Sequence, residues 1–179
     1  MQEGNTQMKT VLSITSCLAL CCFTASAQKE HAKTMTDQQF IDMAAQTDMM
    51  EAHLGQMAAS QAGEQNVKDY AQMLVTDHTA DYQQLTALAA KDSLTLPTAL
   101  DASHNKMIAP FEKLKGAAFD SRYAHEMVAG HTGAIGVYTK ESSDAQNADV
   151  KAYASATLPT LQKHLDGAKD LSKKPSPSK

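Results

Sequence analysis

Residues 64–91 read EQNVKDYAQMLVTDHTADYQQLTALAAK, and their pattern decides the fold. Val67, Ala71, Leu74, His78, Asp81, Leu85 and Leu88 follow one another at alternating steps of four and three. That spacing places them on one face of an α-helix, since a strand would alternate at every second residue. Two members of this otherwise apolar seam, His78 and Asp81, are polar.

The same periodicity recurs three times. A first helix is predicted over 36–62, opened by the capping box Thr36-x-x-Gln39, with Phe40, Ala44, Thr47, Glu51, Leu54 and Ala58 as its seam. The quoted stretch is the second. A third over 117–141 carries Asp120, Tyr123, Met127, His131, Ala134 and Tyr138 on one face. A fourth over 146–171 carries Val150, Ala154, Thr157, Leu161, His164, Ala168 and Leu171, with Pro159 predicted to kink it. About 25 residues separate the second and third helices, and a weaker helix is predicted there over 100–114. A helix of about 15 residues covers some 22 Å, most of a bundle's length. The economical architecture is an all-α, ferritin-like four-helix bundle: two antiparallel pairs joined by a crossover that carries a short extra helix.

Composition agrees. Four Phe, five Tyr, no Trp, eight Gly and five Pro in 179 residues are too few for a many-turned β-sandwich or barrel. Hydrophobic residues at 42% and charged residues at 20% suit a globular chain. A formal charge of −4 argues against a nucleic-acid or anionic-membrane surface as partner. An envelope protein or a second copy of the chain remains an open partner.

The ends carry different information. Lys9, an apolar run from Val11 to Phe23, and Ala25-Ser26-Ala27 form a secretory signal, with cleavage expected after Ala27. The run is too short to span a bilayer, which needs about 20 apolar residues, and no longer one follows. Met8 offers a second start. Cys17, Cys21 and Cys22, the only cysteines, leave with the signal, so any metal site must be built from His and carboxylate. The other reading is a lipoprotein that keeps Cys17 or Cys21. Both readings send the chain to the periplasm or the cell envelope. The expected order is signal peptide 1–27, leader 28–35, bundle 36–171 and a polar, Pro-rich tail 172–179.

Each seam has a polar interruption: Glu51, His78 with Asp81, His131, and His164. Polar groups at core positions are costly unless paired or bound. His78 and His131 each lie 14 residues into their helices, which the crossover makes parallel, while Glu51 and His164 lie 15 and 18 residues into theirs. The four groups therefore converge near mid-bundle. Two readings follow. One transition metal, Zn²⁺, Cu²⁺ or Fe²⁺, could sit among Glu51, His78, His131 and His164, with Asp81 as ligand or as acceptor for an imidazole N–H. Alternatively, the groups satisfy one another and fix helix register. Tyr123 is read as a core tyrosine with a hydrogen-bonded hydroxyl, within reach of the site, and Asp120 as a cap of the third helix. His31, His53, His104 and His125 fall off the seams. Met43, Met49, Met50 and Met57 crowd the first helix beside His53, a soft set suited to Cu(I), but methionine also fills helical cores and the core reading is preferred.

Several stretches resemble one family. Val67-Lys68-Asp69-Tyr70-Ala71-Gln72-Met73-Leu74-Val75-Thr76-Asp77-His78, Phe119-Asp120-x-x-Tyr123, Met127-Val128-x-x-His131, Leu158-Pro159-x-Leu161-x-x-His164-Leu165 and Glu51-Ala-His-Leu54-Gly55 are similar, in order, to motifs of the domain-of-unknown-function family 4142. The resemblance implies a ferritin-like fold and export, and it supplies no reaction. It places family motif residues on Glu51, His78, Asp120, Tyr123, His131 and His164. A di-iron site would need two Glu-x-x-His motifs, but Val75 and Leu161 stand three residues before His78 and His164. The chain also lacks a nucleophile elbow, a His-Glu-x-x-His helix, a phosphate loop and a dinucleotide fingerprint, so no reaction is expected from motifs.

Overall fold

The computed structural model describes residues 35–173. The predicted signal peptide and the end of the tail lie outside them. Thr36 caps the first helix with the expected box: Gln39 N–H donates to Thr36 Oγ1 at 3.2 Å, and Thr36 N–H donates to Gln39 Oε1 at 3.0 Å. The helices are α1 (Asp37–Gln61), α2 (Gln65–Asp92), α3 (Ala102–Ile108), α4 (Ala117–Asp144) and α5 (Ala148–Lys173). A 3₁₀ turn, Ala109–Phe111, extends α3. The described residues contain no strand. The four long helices match their predicted bounds within three residues, and α5 carries two residues assigned by sequence to the tail. It continues as helix through Pro159.

Hydrogen bonds at the two ends establish the directions. At one end, Asp120 of α4 accepts the N–H groups of Gly63 and Glu64 in the α1–α2 turn, each at 3.0 Å. At the other, Asp37 of α1 accepts from Gln146 and Asn147 in the α4–α5 turn, both at 3.0 Å. Thus α4 starts where α1 ends and runs parallel to α2. Asp120 was expected to cap its own helix; it ties down the α1–α2 turn instead, where two N–H groups before α2 would otherwise lack acceptors. Gly63 suits this tight approach, because a Cβ would stand 3.0 Å from Gly116 Cα and 3.2 Å from Asp120 Oδ2.

The crossover returns along α1, fastened by three glutamines. Gln38 receives Thr95 N–H at 2.9 Å and donates to its carbonyl at 2.8 Å. Gln46 receives Asp101 N–H at 3.0 Å and donates to Ala99 O at 2.9 Å. Gln61 donates to Glu112 O at 3.0 Å. These bonds satisfy backbone groups that irregular chain cannot pair with itself.

The buried apolar side chains form two clusters. One holds Leu54, Tyr70, Leu74, Phe111, Phe119, Tyr123 and Met127. The other holds Phe40, Ile41, Leu85, Tyr138, Val150, Tyr153 and Leu161. In sequence position the buried Asp48, Glu51, His78, His131 and His164 fall at the junction of the two.

Candidate metal centre

Each long helix delivers an imidazole or carboxylate to this layer, and α1 delivers two carboxylates, Asp48 and Glu51. Glu51 comes from α1, His78 from α2, His131 from α4 and His164 from α5, all with 4% or less of their surface exposed. Glu51 Oε2 lies 2.9 Å from His78 Nε2 and 3.3 Å from His131 Nε2. His131 Nε2 lies 3.3 Å from His164 Nδ1. One nitrogen from each histidine falls within 4.8 Å of the other two. A tetrahedral ion with bonds of ~2.05 Å has ligand–ligand edges of about 3.3 Å; the His131–His164 and Glu51–His131 separations have that length, while Glu51–His78 is shorter at 2.9 Å.

The outward nitrogens decide the tautomers. His131 Nδ1 is 2.8 Å from the Met127 carbonyl, which can only accept, so Nδ1 carries the proton. His164 Nε2 donates to Asp77 Oδ2 at 2.9 Å. His78 Nδ1 donates to Asp48 Oδ1 at 2.8 Å. With the outer positions donating, the inner nitrogens of neutral His131 and His164 present lone pairs, and that of His78 does so once its ring gives up a proton. Oxygen acceptors behind metal-ligating imidazoles serve this purpose: they fix the tautomer and aim the ring.

Charge reinforces the picture. Burial disfavours the His78 imidazolium, but the charge of Glu51 and the hydrogen bond to Asp48 outweigh it and raise the ring's pKa to about 10. Burial likewise opposes the Glu51 carboxylate, yet His78 and His131 hold its pKa below the usual value. Burial, helped by the neighbouring histidines, lowers His164 to about 4 against its bond to Asp77. The layer therefore holds a proton on His78 where a cation can substitute. Glu51 Oε2 and His78 Nε2 are close but off hydrogen-bond geometry, and neither has another hydrogen-bond partner.

Asp81 stands apart from the imidazoles. It accepts the Tyr153 hydroxyl at 2.5 Å, and Tyr153 lies 3.4 Å, oxygen to oxygen, from Tyr138. The acceptor behind His78 is Asp48, and that behind His164 is Asp77; Asp81 is neither. Sequence reasoning missed both. Asp48 precedes Glu51 by three residues and so shares its helix face, a signal that was available. Tyr123 is buried, stacked on Phe119 at 5.6 Å, with a hydroxyl that has no partner. Burial, and after it the charge of Glu51, raises its pKa well above the usual phenol value. His53 and His125 are exposed, and His104 bonds its helix cap Asp101 at 2.8 Å. Met50 is buried in the core, and Met57 packs against the same cluster.

A solved structure, CopM in the Cu(II)-bound form, is similar in fold, with a TM-score of 0.66 at 14% identity over 79% of this chain and 98% of CopM. No curated protein matches the chain. No helix of the described residues is long and apolar enough to cross a membrane. The profile of the family described as Domain of unknown function (DUF4142) matches residues 22–171, and the chain belongs to that family.

Proposed function

We propose that the chain is an exported bundle protein that binds one divalent transition ion among Glu51, His78, His131 and His164, in metal handling or stress defence in the cell envelope. The observation that carries this is the set of three inward imidazole nitrogens, each on a ring backed by an acceptor. Imidazole with carboxylate suits Zn²⁺, Cu²⁺ and Fe²⁺, and Cu²⁺ binds such donors most tightly of the three. The fold likeness to a structure named for its bound Cu(II) supports testing copper first.

The experiment is titration of exhaustively dialysed mature protein with Cu²⁺, Zn²⁺ and Fe²⁺. We expect one equivalent per chain, and stabilisation of about 2.7 kcal/mol when free ion exceeds Kd a hundredfold. Binding that persists in the doubly substituted His131→Ala, His164→Ala protein overturns the assignment.

A second reading has its own support. His78, as a cation, is matched in charge by Glu51, while burial raises the pKa of the Asp48 carboxyl to about 7, and such a network can serve register alone. It predicts that histidine substitutions lower stability while no ion binds in the parent protein.

A further inference from the structure

Between α2 and α5 the surface opens into a cleft of about 300 Å³. Its inner wall includes His78 and His164 with their acceptors Asp48 and Asp77, whereas Glu51 and His131 do not line it. The side of the histidine cluster that borders the cleft is therefore the His78–His164 edge, where the ring centroids are 5.3 Å apart. Thr157, Thr160 and Gln84 add neutral polar groups to the walls. Asp48 Oδ2, buried and without a hydrogen-bond partner, belongs to a residue that lines the cleft. Three carboxylates, Asp48, Asp77 and Asp81, face one lysine, Lys163, among threonine hydroxyls and apolar side chains such as Leu161, and a net-acidic passage of this kind suits a hydrated cation, whose shell can be exchanged for protein oxygen stepwise.

The three rings are not held equally. His78 is gripped on both edges by carboxylates whose side chains are 3% exposed. His131 is tied to a backbone carbonyl of its own helix. The anchor of His164 is different: Asp77 is 30% exposed and sits 3.7 Å from the solvated ammonium of Lys163. Water and Lys163 can compete for that carboxylate, so His164 is the ring most easily released. Its backbone stays in place, because Tyr70 donates its hydroxyl to the His164 carbonyl at 2.9 Å. Release is then a side-chain rotation and requires no movement of α5.

We propose that the α2–α5 cleft is the route by which the ion enters and leaves the bundle, with His164 as its gate and Asp77 as the positioning residue that holds the gate shut. This rests on the metal reading above and specifies how that site exchanges its ion.

Co²⁺ is the probe, because its ligand-field absorption follows coordination directly. Stopped-flow loading and extraction by EDTA are measured on the mature chain. Thr160→Trp and Gln84→Trp fill the cleft from opposite walls at exposed positions. Both should slow loading and extraction by at least about tenfold at unchanged stoichiometry, while Ala129→Trp, on an exposed groove of α4 elsewhere, should not. Asp77→Ala should speed extraction by about tenfold or more, within the range seen when an acceptor behind a ligand is lost. Asp77→Asn, which keeps an acceptor oxygen, should restore most of the parent rate. Stoichiometric Co²⁺ binding with parent kinetics in both tryptophan variants overturns the route alone. A parent protein that takes up no Co²⁺ overturns the metal reading beneath it. Circular dichroism of each variant confirms that the bundle is folded before rates are compared.

Discussion

His131 Nε2 and His164 Nδ1 face each other at 3.3 Å across the bundle, and in their neutral forms neither carries a proton toward the other. Two lone pairs at that distance repel unless something positive lies between or beside them. His78 supplies a proton on one side, and Glu51 balances it. The layer is thus arranged around a positive charge, whether that charge is a proton or a metal ion.

Glu51→Gln removes the carboxylate shared by His78 and His131. The metal-free variant should lose about 3 kcal/mol of stability, as expected when one member of a buried ion pair is deleted. Urea unfolding of the dialysed protein measures this, and an unchanged midpoint would show that the two histidines do not depend on Glu51.

Asp48→Asn keeps every proposed ligand but weakens the acceptor behind His78. Metal affinity should fall by about 10–100-fold with stoichiometry unchanged. Competition against a chelator of known affinity distinguishes this from Asp81→Asn. That change should leave affinity nearly as it was, because Asp81 bonds Tyr153.

Gly55→Ala tests the close approach of α1 to α2. A Cβ at this position would stand 2.6 Å from Val75 Cγ2 and 2.9 Å from the Ala71 carbonyl oxygen. The backbone atom cannot move aside cheaply, so a loss of about 1–3 kcal/mol is expected from overpacking, read as a lower thermal midpoint.

Gln46→Ala releases the middle of the crossover. It removes two hydrogen bonds, to Ala99 O and from Asp101 N–H, at a cost of about 1–2 kcal/mol. Amide exchange should accelerate locally over 95–105 while the long helices stay protected.

The seam residues were legible because helical period and burial are the same fact seen twice: Phe40, Leu74, Leu85 and Val150 repeat where the core requires them. The polar residues that interrupt the seams were legible for the same reason, and equal depth along parallel helices brought His78 and His131 to one level. Of their supports, only Asp48 left a signal, on the helix face of Glu51. Asp77 is adjacent in sequence to His78 but serves His164, since successive residues point about 100° apart around a helix. Asp81 shares a face with His78, yet one turn of rise carries it to Tyr153, in the other half of the core. Gln38, Gln46 and Gln61 bond the backbone of an irregular segment, and such bonds leave no periodic trace in sequence.

Because the apolar side chains gather into two clusters, the bundle resembles two short bundles stacked end to end and sharing four helices. Hydrophobic attraction acts within each half and hardly across the junction. What joins the halves there is directional: a handful of hydrogen bonds and opposed charges, which weaken with small rotations in a way that packed methyl groups do not. The cross-section poorest in hydrophobic contact is thus also the one whose strength depends most on what sits between the imidazoles. A ligand bound there would act on the cooperativity of the whole molecule from the one place where it divides.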